Sequence, residues 1–520
     1  MNSDTRHAVE FHEATKHSQV KLQMSRHYLD WDIKPRPFKV YTGLRSIPLP
    51  GDFSVPAANA LSCTAGVTGA ANKPVDIQTL SQILFFSAGI TRVMKFQSGT
   101  YYMRAASATG ALYPIELYIV CKDIGGLAVG VYHFCPGDFS LAELRSGDYT
   151  GSLAAMAADP DVAASPATVV FASLAWRNAW KYRARSYRHW FWDSGVIAAN
   201  LLATCCSEGL RSKLITGFAD SEVNELLLLE KEKEAAVALA PIAESLGNDG
   251  MELRPTPVPA ASKPNYIALS SSEVEYPEIW QMHEASSLGT SEVAAWKALR
   301  VGSEKPGFAG KLQFNSLALG ETILRRGSSR SFARSKIPKE KLLSILYCST
   351  RGVPFDILED GQSLTDIYFV SNAVEGLEPG KYFYDRHANS VKLLEAGKEA
   401  ASRNESGFLC LGQPLFSDAS AVMFLMADLD SVLKTLGNRG YRVCQLESGV
   451  VAGKIYLSAY AQGLGASGST FYDDAVAESF SPHATGKAAM IAVGVGIAAY
   501  RARPGTVLPV RLTKSQLLAE

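Results

Sequence analysis

The sequence predicts an α+β chain built of two similar units, each a mainly antiparallel sheet packed with helices. Two repeated segments and the composition carry that prediction. The first repeat is YRHWFWDSGVIAANLLATCCSEGL at 187–210, returning as YRVCQLESGVVAGKIYLSAYAQGL at 441–464. Both begin with Tyr-Arg, place an acid at the same offset (Asp193, Glu447), continue with Ser-Gly-Val and end in Gly-Leu. The proline-free, apolar stretch between these markers has the length of a buried helix, and Gly209 and Gly463 stand where each helix should stop. The second repeat is LAVGVYHFCPGDFSLAELRSG at 127–147 and LEPGKYFYDRHANSVKLLEAG at 377–397. Alternation at Val131 and His133, and at Lys381 and Phe383, suits half-buried antiparallel strands. With 520 residues, 47% of them hydrophobic, the chain can bury two cores. Unit one is expected over 1–245, a connector over 246–294 and unit two over 295–520.

Composition also excludes several function classes. The 51 basic and 51 acidic residues cancel, so no partner of nucleic acid or anionic membrane is called for. Eight scattered cysteines without a Cys-x-x-Cys spacing indicate neither a zinc site nor a disulfide framework. The opening MNSDTRHAVEFHEATKHS has no apolar run, and the longer apolar stretches are interrupted by Arg, Glu or Gly. A soluble, cytoplasmic protein is expected. His7, His12, His17 and His27 complete no metal motif with Glu10 and Glu13, so structural or solvated roles are expected.

Taken in order, residues 1–60 are polar, aromatic and proline-rich, and KPRPFKVYTGLRSIPLP reads as an extended wrap over the surface. Asp76 caps a helix through Leu80, Ile83 and Leu84. RAASATGALYPIELYIV, from Arg104, joins a loop of small residues to an apolar strand starting at Ile115. Such a loop lets something approach the backbone closely, as an ordinary connection or as a ligand site. A strand over 167–173 precedes Lys181, Tyr182, Arg183, Arg185 and Arg188, a cationic cluster that must face solvent or meet anions. Unit two has Thr435 and Leu436 where unit one has Lys181 and Tyr182, so symmetry does not require that pair. AAVALAPI closes unit one as a strand, and Pro255, Pro257 and Pro259 favour an extended connector.

In unit two, Arg325, Arg326, Ser328 and Arg330 surround a glycine just after an apolar helical turn. Guanidinium forks beside a hydroxyl suit a phosphate monoester; a solvated charge run is the alternative. Gly465, Ala466, Ser467 and Gly468 are expected in a glycine-rich turn that exposes backbone donors and acceptors to a flat heterocycle. A buried strand through AAMIAVGVG follows, and Arg501 and Arg503 beyond it could complete the phosphate site.

Together, R-x-S-x-R at Arg326, Ser328 and Arg330, the GALYPIELY element after Arg104 and the duplicated helix resemble the FMN-dependent nitroreductase superfamily. Within it they look like the branch of azoline (thiazole/oxazole) dehydrogenases of peptide modification. The resemblance implies two tandem nitroreductase-like domains forming an intramolecular pseudo-dimer around a single FMN. Unit two would supply Arg325, Arg326, Ser328, Arg330, Gly465 to Gly468 and Arg501; unit one would supply Arg104, Ser107, Thr109 and Gly110. The loop reads Ser107-Ala108 where the family more often has Pro-Ser, so that one hydroxyl contact would be lost or moved to Thr109. Lys181 and Tyr182 resemble the pair that handles the proton in azoline oxidation. The implied activity is hydride transfer through FMN to a small-molecule or peptide substrate. NAD(P)H would be at most a transient reductant, since no G-x-G-x-x-G follows a strand. An azoline-type dehydrogenase and a non-catalytic flavin-fold scaffold are the alternatives.

Overall fold

The computed structural model describes residues 2–67, 73–97, 99–247, 253, 255, 257–301, 315–359, 362–500 and 502–519. Two antiparallel sheets follow one plan. In unit one the strand order is Ser46–Pro48, Ser140–Ser146, Gly130–Cys135, Ile115–Cys121, Ala167–Leu174, Glu234–Ala243, Arg211–Ser212. In unit two it is Ser390–Ala396, Gly380–Asp385, Thr365–Ser371, Ala421–Ala427, Ala488–Gly496, Gly465–Ser469. The order matches once Ser46–Pro48, which the N-terminal segment adds to unit one, is set aside. The resulting pseudo-symmetric pair is an intramolecular pseudo-dimer. A separate hairpin, Ile90–Phe96 with Gly99–Arg104, projects from unit one.

Between the sheets lie the two repeated helices, Ser186–Ser207 and Asn438–Ala461, buried along nearly their whole length. The shared Ser-Gly-Val is where they cross. A Cβ on Gly195 would stand 2.4 Å from the Val450 nitrogen, and one on Gly449 would stand 2.6 Å from the Trp192 carbonyl oxygen. Only glycine allows backbones this close. Each helix ends as its sequence predicts, with Gly209 and Gly463 both at φ 76. The N–H groups of Leu210 and Leu464 return to the carbonyls of Cys205 and Ala459, which satisfies last-turn acceptors.

The Arg-rich helix starts are the second joint. Arg185 and Arg188 are buried and paired with Asp473 of unit two, at 3.0 and 2.8 Å. The pseudo-symmetric Arg439 and Arg442 pair with Asp220 of unit one, at 2.5 and 2.6 Å. The cationic cluster therefore divides: these arginines meet anions, each across the unit boundary.

The chain ends are exchanged as well. The N-terminal segment contains two helices, Arg6–Ala14 and Gln19–Met24, ahead of the stretch at 34–50 that the sequence predicts as extended. Its first residues bind unit two: Asn2 donates to the Leu436 carbonyl and the Ala8 N–H to Asn438. It then runs extended beside the connector, pairing Arg36, Val40 and Thr42 with Leu269, Ile267 and Asn265. At the other end Arg511 donates to the Leu49 carbonyl at 2.5 Å, and Leu517 is buried against unit one. The connector region also forms a helix, Pro277–Ala285.

All eight cysteines are buried free thiols. Among the described residues, no group of three or more His, Cys, Asp or Glu is placed to hold a metal ion. No helix among them is long and apolar enough to cross a membrane.

Candidate functional site

Where unit one's Arg104–Pro114 loop meets unit two's R-x-S-x-R segment, most of the residues singled out from sequence come together. Helix Leu319–Arg325 ends at Arg326, whose buried guanidinium donates to the carbonyls of Arg104 and Ala105, both at 2.8 Å. Its donors tie the two units. Arg92, from the hairpin, reinforces the joint by donating to the carbonyls of Leu324, Arg325 and Arg326. The Ser328 hydroxyl lies 3.2 Å from the Tyr456 hydroxyl, which accepts the Gly468 N–H at 2.5 Å. The Ser329 N–H donates to the Ala466 carbonyl.

Gly465 to Gly468 lie in an edge strand, Gly465–Ser469, paired with Ala488–Gly496; the glycine-rich turn expected there is confined to Gly463 and its neighbours. Small side chains make this possible, because a Cβ on Gly465 would come within 2.3 Å of the Ser329 hydroxyl. Arg330 is exposed, and its N–H donates to the Tyr500 hydroxyl at 3.0 Å. Arg325 sits at the surface in an ion pair with Glu321. Arg501 lies outside the described residues.

From unit one, Lys181 and Tyr182 end the helix Ala175–Tyr182 and reach the same place. The Lys181 ammonium lies 5.4 Å from the Tyr182 ring centre. Burial lowers its pKa, and the Arg330 guanidinium of unit two lowers it further. Burial, then the charge of Asp193, raises the pKa of the Tyr182 hydroxyl. That hydroxyl sits over Gly110: a Cβ there would be 2.6 Å away. Gly110 occupies the left-handed region at φ 65, inside the turn Thr109–Ala111. Thr109 donates its N–H and its hydroxyl to Asp193. Ser107 and Ala108 line a small void between this loop and the long helix, with Asp193 and Ile197 at its back. Arg104 also lines this void, its guanidinium stacking on Tyr113 at 4.7 Å and donating to the Pro37 carbonyl. Burial lowers its pKa to about 10.

Across the pseudo-twofold axis the matching place is differently filled. Lys454, at the helix position of Asn200, donates to the carbonyls of Arg351 and Gly352. Gly66 and Gly352 meet backbone to backbone, a Cβ on Gly66 falling 2.9 Å from the Gly352 Cα. Sequence reading missed Arg92, Tyr456 and Tyr500, which carry no motif of their own. It did register Asp193, through the acid shared by the two helices.

The nitroreductase family model matches this chain twice, over residues 70–243 and 323–497. The two matches take in more than half of the chain, one in each sheet-bearing unit, and the chain belongs to the nitroreductase family. The crystal structure of a candidate nitroreductase from Anabaena variabilis superposes with a TM-score of 0.75 at 27% identity, covering 94% of this chain and 99% of that one. The two-unit arrangement thus recurs as a whole. A candidate nitroreductase from Methanocaldococcus jannaschii, MJ1384, is 27% identical over 176 residues, 34% of this chain and 84% of that protein. The trifolitoxin-processing protein TfxB of Rhizobium leguminosarum bv. trifolii is 30% identical over 171 residues, 32% of this chain and 45% of that protein, so the match spans under half of that relative.

Proposed function

We propose that the chain is an FMN-dependent oxidoreductase acting at one site between its two units. The observation that carries this reading is the meeting of unit one's Arg104–Pro114 loop with unit two's R-x-S-x-R segment, where Arg326 donates to the carbonyls of Arg104 and Ala105. Lys181 of unit one and the exposed Arg330 of unit two bring positive charge to this place, and burial, then Arg330, lowers the Lys181 pKa. Positive charge brought to one cleft from both units favours an anion there. The donor set suits FMN: Arg330, Ser328 and Lys181 offer charge and hydroxyl, and the edge strand Gly465–Ser469 lies beside Ser328 through Tyr456. Ser107, Thr109 and Gly110 would face it from unit one. Arg325, Arg326 and Arg104 would act mainly by shaping this cleft, since their guanidiniums are engaged elsewhere.

Bound FMN would supply hydride exchange with the substrate, and NAD(P)H would be a transient reductant if used. Lys181 and Tyr182 would handle the accompanying proton, Tyr182 as the group kept protonated by burial and Lys181 as the neighbouring cation. The backbone contact of Gly66 with Gly352 supports a single site rather than two. A second reading, removal of a proton and a hydride from a ring in a peptide as in an azoline dehydrogenase, rests on the adjacent Lys181 and Tyr182, the ammonium 5.4 Å from the ring centre. It is also in keeping with a relative, TfxB, named for processing trifolitoxin.

The visible spectrum of the purified protein, with released flavin counted per chain, tests the proposal. A single FMN per chain, lost in a Lys181→Ala/Arg330→Ala variant, is expected. With flavin bound, Tyr182→Phe should lower kcat by about 100-fold or more. Protein that stays colourless in excess FMN would overturn the reading in favour of a non-catalytic scaffold.

A further inference from the structure

The acid that both long helices carry at one offset is not used by the chemistry above. Asp193 is 3% exposed. Its carboxylate accepts the Thr109 N–H at 2.9 and 3.1 Å, the Thr109 hydroxyl at 2.8 Å and the Asn178 amide at 3.4 Å. No cation is among these partners. Burial therefore raises its pKa to about 7, against the pull of the three donors.

The turn it holds is a costly one. Gly110, Ala111 and Tyr113 all have positive φ, at 65, 55 and 50. Non-glycine residues enter that region at a cost, so such a turn persists only when its surroundings fix it. Asp193 fixes it at Thr109, one residue before the glycine on which Tyr182 rests. Glu447 provides an internal comparison. At the matching helix position it accepts the Leu364 N–H and the Thr365 hydroxyl. The residue matching Tyr182 is there Leu436, which carries no hydroxyl. One helix–loop clamp thus occurs twice, and the position that holds the Tyr182 hydroxyl over the unit-one copy is taken by a leucine in unit two.

We propose that Asp193 is a positioning residue of the site: it locks the Thr109–Gly110 turn so that the Tyr182 hydroxyl has one fixed place. The inference rests on the proton-handling role given to Tyr182. Displacing such a group by about an ångström can cost on the order of 100-fold in rate.

Thr109→Val, Thr109→Ser, Asp193→Asn and Glu447→Gln are compared in the flavin-loaded protein. Thr109→Val and Asp193→Asn should lower kcat by about 10- to 100-fold while KM holds, and their losses should not multiply in the double variant. Thr109→Ser, which keeps the hydroxyl, should restore the wild-type value. The ionisation of Tyr182, followed by ultraviolet difference against Tyr182→Phe, should move to lower pH in both impaired variants as the hydroxyl loses its shielded seat. Glu447→Gln should leave kcat and that ionisation unchanged. Should Asp193→Asn fail to fold, the Thr109 pair decides. Wild-type kcat and Tyr182 ionisation in Thr109→Val, or an equal loss of kcat in Glu447→Gln, would overturn the proposal. If Tyr182→Phe keeps full turnover while Thr109→Val still shifts the Tyr182 ionisation, the positioning stands and the catalytic reading of Tyr182 falls.

Discussion

Replacing Asp473 with asparagine removes the carboxylate against which two buried guanidiniums are set. Arg188 is fully buried and Arg185 4% exposed, and Asp473 accepts from both, at 2.8 and 3.0 Å, and from the His17 N–H at 2.8 Å. An asparagine keeps the shape and can still accept a bond, but it leaves two cations in the interior with no countercharge. Breaking a buried pair in this way costs about 3–5 kcal/mol. That is a large part of the ordinary stability of a folded domain, about 5–15 kcal/mol. Denaturant unfolding at pH 7 should therefore show Asp473→Asn less stable by about 3 kcal/mol or more. The pH dependence gives a second check. Burial alone would raise the Asp473 pKa, but Arg188 and Arg185 bring it well below the usual aspartate range. A depressed carboxylate contributes stability that is present above its unfolded pKa and lost as pH falls toward the folded one. The gap between wild type and variant should thus be constant above about pH 5 and narrow only in stronger acid. A gap under about 1 kcal/mol at pH 7 would refute the idea that this pair joins the units.

Lys454 offers a prediction of the same sign in a more alkaline range. Burial lowers its pKa from 10.5 to about 7, so between those values the unfolded chain binds the extra proton and stability should rise with pH. Lys454→Met should flatten that rise in unfolding experiments run from pH 7 to pH 10. Gly449→Val places a side chain where a Cβ alone would stand 2.6 Å from the Trp192 carbonyl. Overpacking of this kind costs about 1–3 kcal/mol or more, and should appear as a lowered Tm.

The helices, their glycine stops, the strand AAVALAPI and the loop after Arg104 were legible because each is written in local pattern: apolar periodicity, a terminal glycine, alternation. The duplication was legible because one pattern appears twice. Side-chain partnerships were less so. Arg326 and Arg330 belong to one motif, yet one guanidinium is spent on the Arg104 and Ala105 carbonyls and the other is exposed. Spacing fixes neither outcome. The edge strand Gly465–Ser469 was missed because glycine, alanine and serine have poor strand propensity, and its pairing with Ala488–Gly496 overrides that preference. The attachment of Asn2 to Leu436 joins residues 434 apart, and nothing local marks it.

Joining two copies end to end frees them from each other. In an assembly of identical chains a substitution appears everywhere at once, and one that improves a site on one side of the axis is imposed on the other. Here the place facing Gly110 holds Tyr182 while its twin holds Leu436, and the helix position that is Asn200 in one unit is Lys454 in the other. A single polypeptide can let one side specialise and the other become ballast, and the paired arginines with Asp473 and Asp220 keep the two in step while they diverge.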